Sequence, residues 1–125
     1  MNPADALAKL PPEHRAALLP HVAPWVVRAY RTSERNAAVK VALDLMPSST
    51  GTGKALDLER RLGRYVGGAA WKTERHLDEL PEGAVALDVA IHRLARLNDG
   101  QPLRWRRILD IAVITAVHCK TSLPE

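Results

Sequence analysis

Residues 84–97 read AVALDVAIHRLARL and run into the turn residues Asn98, Asp99 and Gly100. Leu87, Ile91, Leu94 and Ala95 recur there at three- and four-residue steps. That spacing lines side chains along one helix face, whereas a half-buried strand needs strict alternation. A glycine just past the last periodic residue is a common helix stop. The stretch predicts an amphipathic helix with its apolar face turned inward. Carried outward along the chain, the same test finds helical spacing almost everywhere and no sustained alternation.

Upstream, Ala55, Leu58, Leu62 and Tyr65 mark one face of a helix closed by Gly67 and Gly68, and residues 71–80 predict another, stopped by Pro81 and Gly83. Val39, Leu43 and Met46 form a core-facing stripe in a region opened by Pro24 and ended by Pro47. Ser33 is placed to cap a continuation, so one bent helix and two helices are both compatible with the spacing. Before it stand two short segments, ADALAKL and EHRAALL, bounded by Pro11, Pro12 and Pro20, with Asn2 as N-cap of the first. After Pro102, LRWRRILDIAVITAVH is apolar nearly all round in its second half, which predicts a central, buried helix. The expected architecture is all-α: a compact bundle of about five to seven helices with no β-sheet. A single helical domain spanning 1–125 is expected, with a flexible Ser/Thr/Gly linker at about 47–53.

A chain of 125 residues, 46% hydrophobic and 26% charged, has ordinary globular composition and enough length to bury a core without a covalent staple. Cys119 is the only cysteine, which excludes an intramolecular disulfide and a cysteine-rich zinc site within one chain. Asp5 and Glu13 interrupt the first twenty residues, which do not read as a signal peptide, and the apolar run 111–117 is too short to span a bilayer. The expectation is a cytoplasmic protein that does not enter a membrane.

The stretch SSTGTGKA, residues 48–55, tests for nucleotide chemistry. A phosphate loop needs glycines for close backbone approach, a lysine for charge and a neighbouring hydroxyl for magnesium. Gly53 and Lys54 are present, but Ser48 occupies the first glycine position and Ala55 the hydroxyl position. The preceding VKVALDLM has helical spacing, so the strand that such a loop should leave is missing as well. The stretch reads as an interhelical connection with Lys54 in a first helical turn, and no nucleotide cofactor, or any other cofactor, is expected.

Other chemistries fare no better. Among His14, His21, His76, His92 and His118, the pair that tests for a metal is His92 with Asp88, four apart on one helix face. Two ligands do not make a metal site, and the pair reads as a side-chain hydrogen bond with Arg96 one turn on. His118 and Cys119 are adjacent and point in different directions from a helix. Glu74, Asp78, Glu79 and Glu82, interleaved with Lys72 and Arg75, read as a solvated face rather than as catalytic carboxylates. No catalytic residue and no metal site are assigned, and the chain is not expected to be an enzyme.

Basic residues carry the remaining signal. Net charge is +4, and Arg outnumbers Lys 13 to 5, which suits bidentate contacts with phosphate or carboxylate. Arg60, Arg61 and Arg64 share one helix edge, Arg93 and Arg96 precede the turn NDGQP, and Arg104, Arg106 and Arg107 follow it. Two helices around a short glycine-containing turn, with arginines in the first turn of the second, have the outline of a helix-turn-helix. Trp105 lies among those arginines, where it could stack on a base, but Leu109, Ala112 and Ala116 continue its helix face and favour a core role. Asp110 is spaced to pair with Arg106 or Arg107. The leading expectation is a small non-enzymatic binding protein that contacts nucleic acid, DNA before RNA, through these eight arginines in a regulatory or accessory role. The alternative is a protein–protein interaction module, whether adaptor, inhibitor or homo-oligomeric scaffold, with no nucleic-acid contact.

Overall fold

Prolines and glycines cut the chain into seven α-helices in the computed structural model, which describes residues 3–122 and the side chains of 3–113. The helices are α1 (Pro3–Lys9), α2 (Pro12–Leu18), α3 (Pro24–Asp44), α4 (Gly51–Val66), α5 (Ala69–Glu74), α6 (Ala86–Leu97) and α7 (Trp105–Ser122), with a 3₁₀ turn at Leu19–His21. No strand occurs among the described residues, and the fold class is all-α as expected. Backbone contacts group into two units, one ending at Arg35 and one beginning at Asn36, so the division falls inside α3 rather than in the Ser/Thr/Gly stretch.

In the first unit Ala4, Leu7 and Val26 are buried, while α2 buries no residue. Arg15 contributes polar bonding there. Its guanidinium donates to the Tyr30 hydroxyl and, at 3.1 Å, to the Leu10 carbonyl, and it lies 5.5 Å from the centre of the Tyr30 ring. The planar guanidinium combines these contacts better than an ammonium would.

The second unit is organised around α4, which packs against α5, α6 and α7. Ala55, Leu58 and Leu62 on its inner face are fully buried. They meet Ile91, Leu94 and Ala95 of α6, Ile108 and Ile111 of α7, Val39 and Leu43 of α3, and Met46 just beyond it, in one cluster. Each fully buried Leu or Ile of this kind contributes about 1.5–3 kcal/mol.

Of the two possibilities left open at Ser33 the structure has the single helix, with Ser33 inside α3. Other local expectations are revised. Gly51 to Gly53 form the first turn of α4 instead of a linker: the Thr50 hydroxyl accepts the Gly53 N–H at 3.0 Å as an N-cap, and the Lys54 N–H closes the turn on the Thr50 carbonyl at 2.9 Å. A side chain at Gly53 would collide with the hydroxyls of Ser48 and Thr50, which close over it. The helix expected over 71–80 ends at Glu74 because the Glu74 carbonyl bonds the His92 ring at 2.9 Å and the Leu77 N–H at 3.0 Å, not the next helical N–H.

At the end of α6, Asn98 donates to the Leu94 carbonyl and Gly100 to the Ala95 carbonyl, with Gly100 at φ +71°. The same glycine lies against the Trp71 ring, 3.2 Å from where a Cβ would stand, so any other residue would be both strained and crowded. In α7, Ile108 and Ile111 are buried but Val113 is 61% exposed, so burial through residue 113 is one-sided rather than complete. Asn2, the side chains of 114–117, and the His118 and Cys119 side chains lie outside the described residues.

Candidate binding cleft and the arginine groups

α4 positions chemistry on its two edges. Glu59 and Arg61 are two residues apart, about 200° around the helix, so they leave it in nearly opposite directions. On the first edge, Glu59 accepts the backbone N–H of Trp105 at 3.2 Å. A carboxylate from a neighbouring helix therefore occupies the start of α7, where unpaired N–H groups and the helix dipole favour an anion.

On the other edge, Arg61 and Arg64 line an open cleft of about 680 Å³. Its apolar lining comes from Ala69 and Ala70 of α5, Leu87 and Ile91 of α6, and Leu80 and Pro81 of the segment between them. Three carboxylates, Glu74, Glu82 and Asp88, also line it. The intervening segment turns at Gly83, whose φ of +92° suits glycine.

Tyr65 fixes one end of this cleft. Its hydroxyl donates to Glu74 Oε1 at 2.8 Å, and its ring meets Trp71 edge-on with centroids 5.6 Å apart. Burial, then the hydrogen bond to Glu74, then the charges of Glu74 and Asp88, push the phenol above its ordinary pKa. Tyr65 therefore stays a neutral donor wherever an ordinary tyrosine does. His92 completes the support: it is 2% exposed, stacks edge-on with both Tyr65 and Trp71, and donates from Nε2 to the Glu74 carbonyl. Glu74 is thus held at its side chain by α4 and at its backbone by α6.

All eight arginines singled out in the sequence are exposed; they lie on α4, on α6 and at the start of α7. Arg61 and Arg64 belong to the cleft. Arg60 and Arg93 each lie two residues past a buried residue, Leu58 and Ile91, and face away from the core. Arg96 donates to Asp78 Oδ1 at 3.1 Å, replacing the expected arrangement with Asp88 and His92. Arg104 precedes α7, Arg106 lies 5.3 Å from the centre of the Trp105 ring, and Arg107 completes that basic turn. Trp105 itself is half-buried against the core, in keeping with its helix face.

The acidic cluster is divided as well. Glu74 and Glu82 line the cleft, while Asp78 pairs with Arg96. Sequence reasoning missed Tyr65 and Trp71 as parts of a site. The available signal was the pair of glycines, Gly67 and Gly68, which returns the chain sharply so that two aromatic residues six apart can meet.

Among the described residues no group of three or more His, Cys, Asp and Glu side chains is placed to hold a metal ion, and no helix is long and apolar enough to cross a membrane. Compared with known proteins, the chain matches no family model, no curated protein and no solved structure. The residues themselves carry the functional reading.

Proposed function

We propose that this chain is a small helical binding protein whose working surface is the cleft between α4, α5 and α6, and that it receives a segment of a partner protein. The observation that carries this reading is a cleft lined by apolar residues together with charges of both signs, Arg61 and Arg64 from α4 and Glu74, Glu82 and Asp88 from α5, the segment after it and α6. Pockets for small molecules enclose most of their ligand's surface. This cleft is open to solvent, which suits a chain segment that buries one side and leaves the other in water.

The test is selection of a displayed random heptapeptide library on the purified protein and on Ala84→Trp, which fills the cleft from an exposed loop position. Peptides enriched on the native chain and lost on the variant support the reading. Equal enrichment on both, or none, sinks it.

Nucleic-acid contact in a regulatory or accessory role is the second reading, favoured by Arg104, Arg106 and Arg107 at the exposed start of α7 with Arg106 beside Trp105. It rests on a narrower surface than eight arginines, because Arg61 and Arg64 face the cleft and Arg96 is paired. Titration with random-sequence duplex DNA and single-stranded RNA across a salt series tests it. Affinity that falls steeply with salt, and falls again in Arg104→Glu/Arg107→Glu, supports phosphate contact; no binding at low salt removes it.

A further inference from the structure

Resting on the cleft reading, we infer that the bound segment is dipolar: an apolar stretch with an acidic group at the Arg61/Arg64 wall and a basic group at the Glu82/Asp88 wall.

Arg61 and Arg64 stand three residues apart on α4, the spacing at which neighbouring helical side chains share one edge. Their guanidiniums suit a carboxylate, which each can grip with two parallel N–H groups. Of the three carboxylates, Glu74 is already engaged by the Tyr65 hydroxyl and fixed by His92 through its backbone. Glu82, on the segment before α6, and Asp88, in the first turn of α6, remain to receive a cation. Leu80, Leu87 and Ile91 line the cleft with apolar surface.

The arrangement selects by exclusion as well as by attraction. A segment with like charges at both ends places one of them against a wall of its own sign, and an uncharged segment leaves both walls to water. Only a segment with one charge of each sign satisfies both walls while its apolar part covers the apolar lining. Because these charges stand in partly wet surroundings, they contribute more to the choice of partner than to affinity.

The heptapeptide library decides this when it is selected in parallel on the native chain and on Arg61→Glu/Arg64→Glu. Both positions are exposed, and helical circular dichroism of the variant checks that the fold is kept. On the native chain the expected winners carry an acid and a base on either side of apolar residues. On the variant the acid should be replaced by a second base, with binding of the native winners reduced at least tenfold. Winners that Ala84→Trp abolishes but that carry no charge pattern would overturn the dipolar inference and leave the cleft reading standing. Winners unaffected by Ala84→Trp would overturn both.

Discussion

The segment up to Arg35 and the segment from Asn36 onward are both helical, yet they bury apolar surface very unequally. Among the described residues, the first has three buried apolar ones, Ala4, Leu7 and Val26, whereas the second gathers fifteen into one cluster. Seven-residue helices such as α1 and α2 are too short to persist by hydrogen bonding alone. They depend on what they pack against and on local polar bonds such as those of Arg15. Helical propensity is therefore a poor guide to which part of this chain is firmly held, and the depth of the buried face is a better one.

The largest expected effect tests that contrast directly. Leu58→Ala removes a fully buried side chain from the middle of the cluster and should cost about 2–5 kcal/mol in urea unfolding. Leu7→Ala, in a sparsely packed segment that can settle around the loss, should cost about 1 kcal/mol, at or below the low end of such changes. Hydrogen exchange should likewise show amides of α1 and α2 opening at lower free energy than those of α4. Equal costs and equal protection would break the comparison.

A smaller effect is expected at the aromatic corner. Tyr65→Phe deletes the hydrogen bond to Glu74 and should cost about 1 kcal/mol at neutral pH. The folded phenol has its pKa raised above the unfolded value of about 10, so its contribution is complete below that pH and is lost as the pH rises beyond it. Stability of the native chain should therefore decline above about pH 10, and part of that slope should vanish in Tyr65→Phe. An unchanged alkaline slope would show that the corner is looser than its geometry.

The smallest effect is expected at the surface pair. Arg96 is 35% exposed and Asp78 is 96% exposed, so water screens their attraction. Arg96→Ala should change stability by no more than about 0.5 kcal/mol. A larger loss would mean that the segment between α5 and α6 is anchored through this pair, and would sharpen the account of how the cleft wall is held.

Much of the fold was legible because its signals are local. Pro24 and Pro47 bracket α3, Gly67 and Gly68 follow α4, and the stripe Ala55, Leu58 and Leu62 is buried as its spacing requires. Failures came where a distant partner overrode a local pattern. Residues 75–80 continue a plausible helix, but His92, eighteen positions beyond Glu74, takes the carbonyl that the next turn needed. The glycines of residues 51–53 look like a linker, but the Thr50 cap and the hydroxyls folded over Gly53 make them a helix start.

The candidate site was less legible than the fold. Arg61 and Arg64 were singled out within a group of eight exposed arginines, and nothing in their spacing pointed to the cleft that these two line. By itself the sequence determined the all-helical class, most helix limits and which faces turn inward, because hydrogen bonding within a helix and the step of its side chains act over a few residues. Only the tertiary structure decided that Glu59 meets the start of α7, that His92 holds Glu74, and that Arg61 and Arg64 share a cleft with Glu82 and Asp88. Those meetings depend on the angles at which helices cross, and side chains far apart in the chain set these angles together as they fill one core.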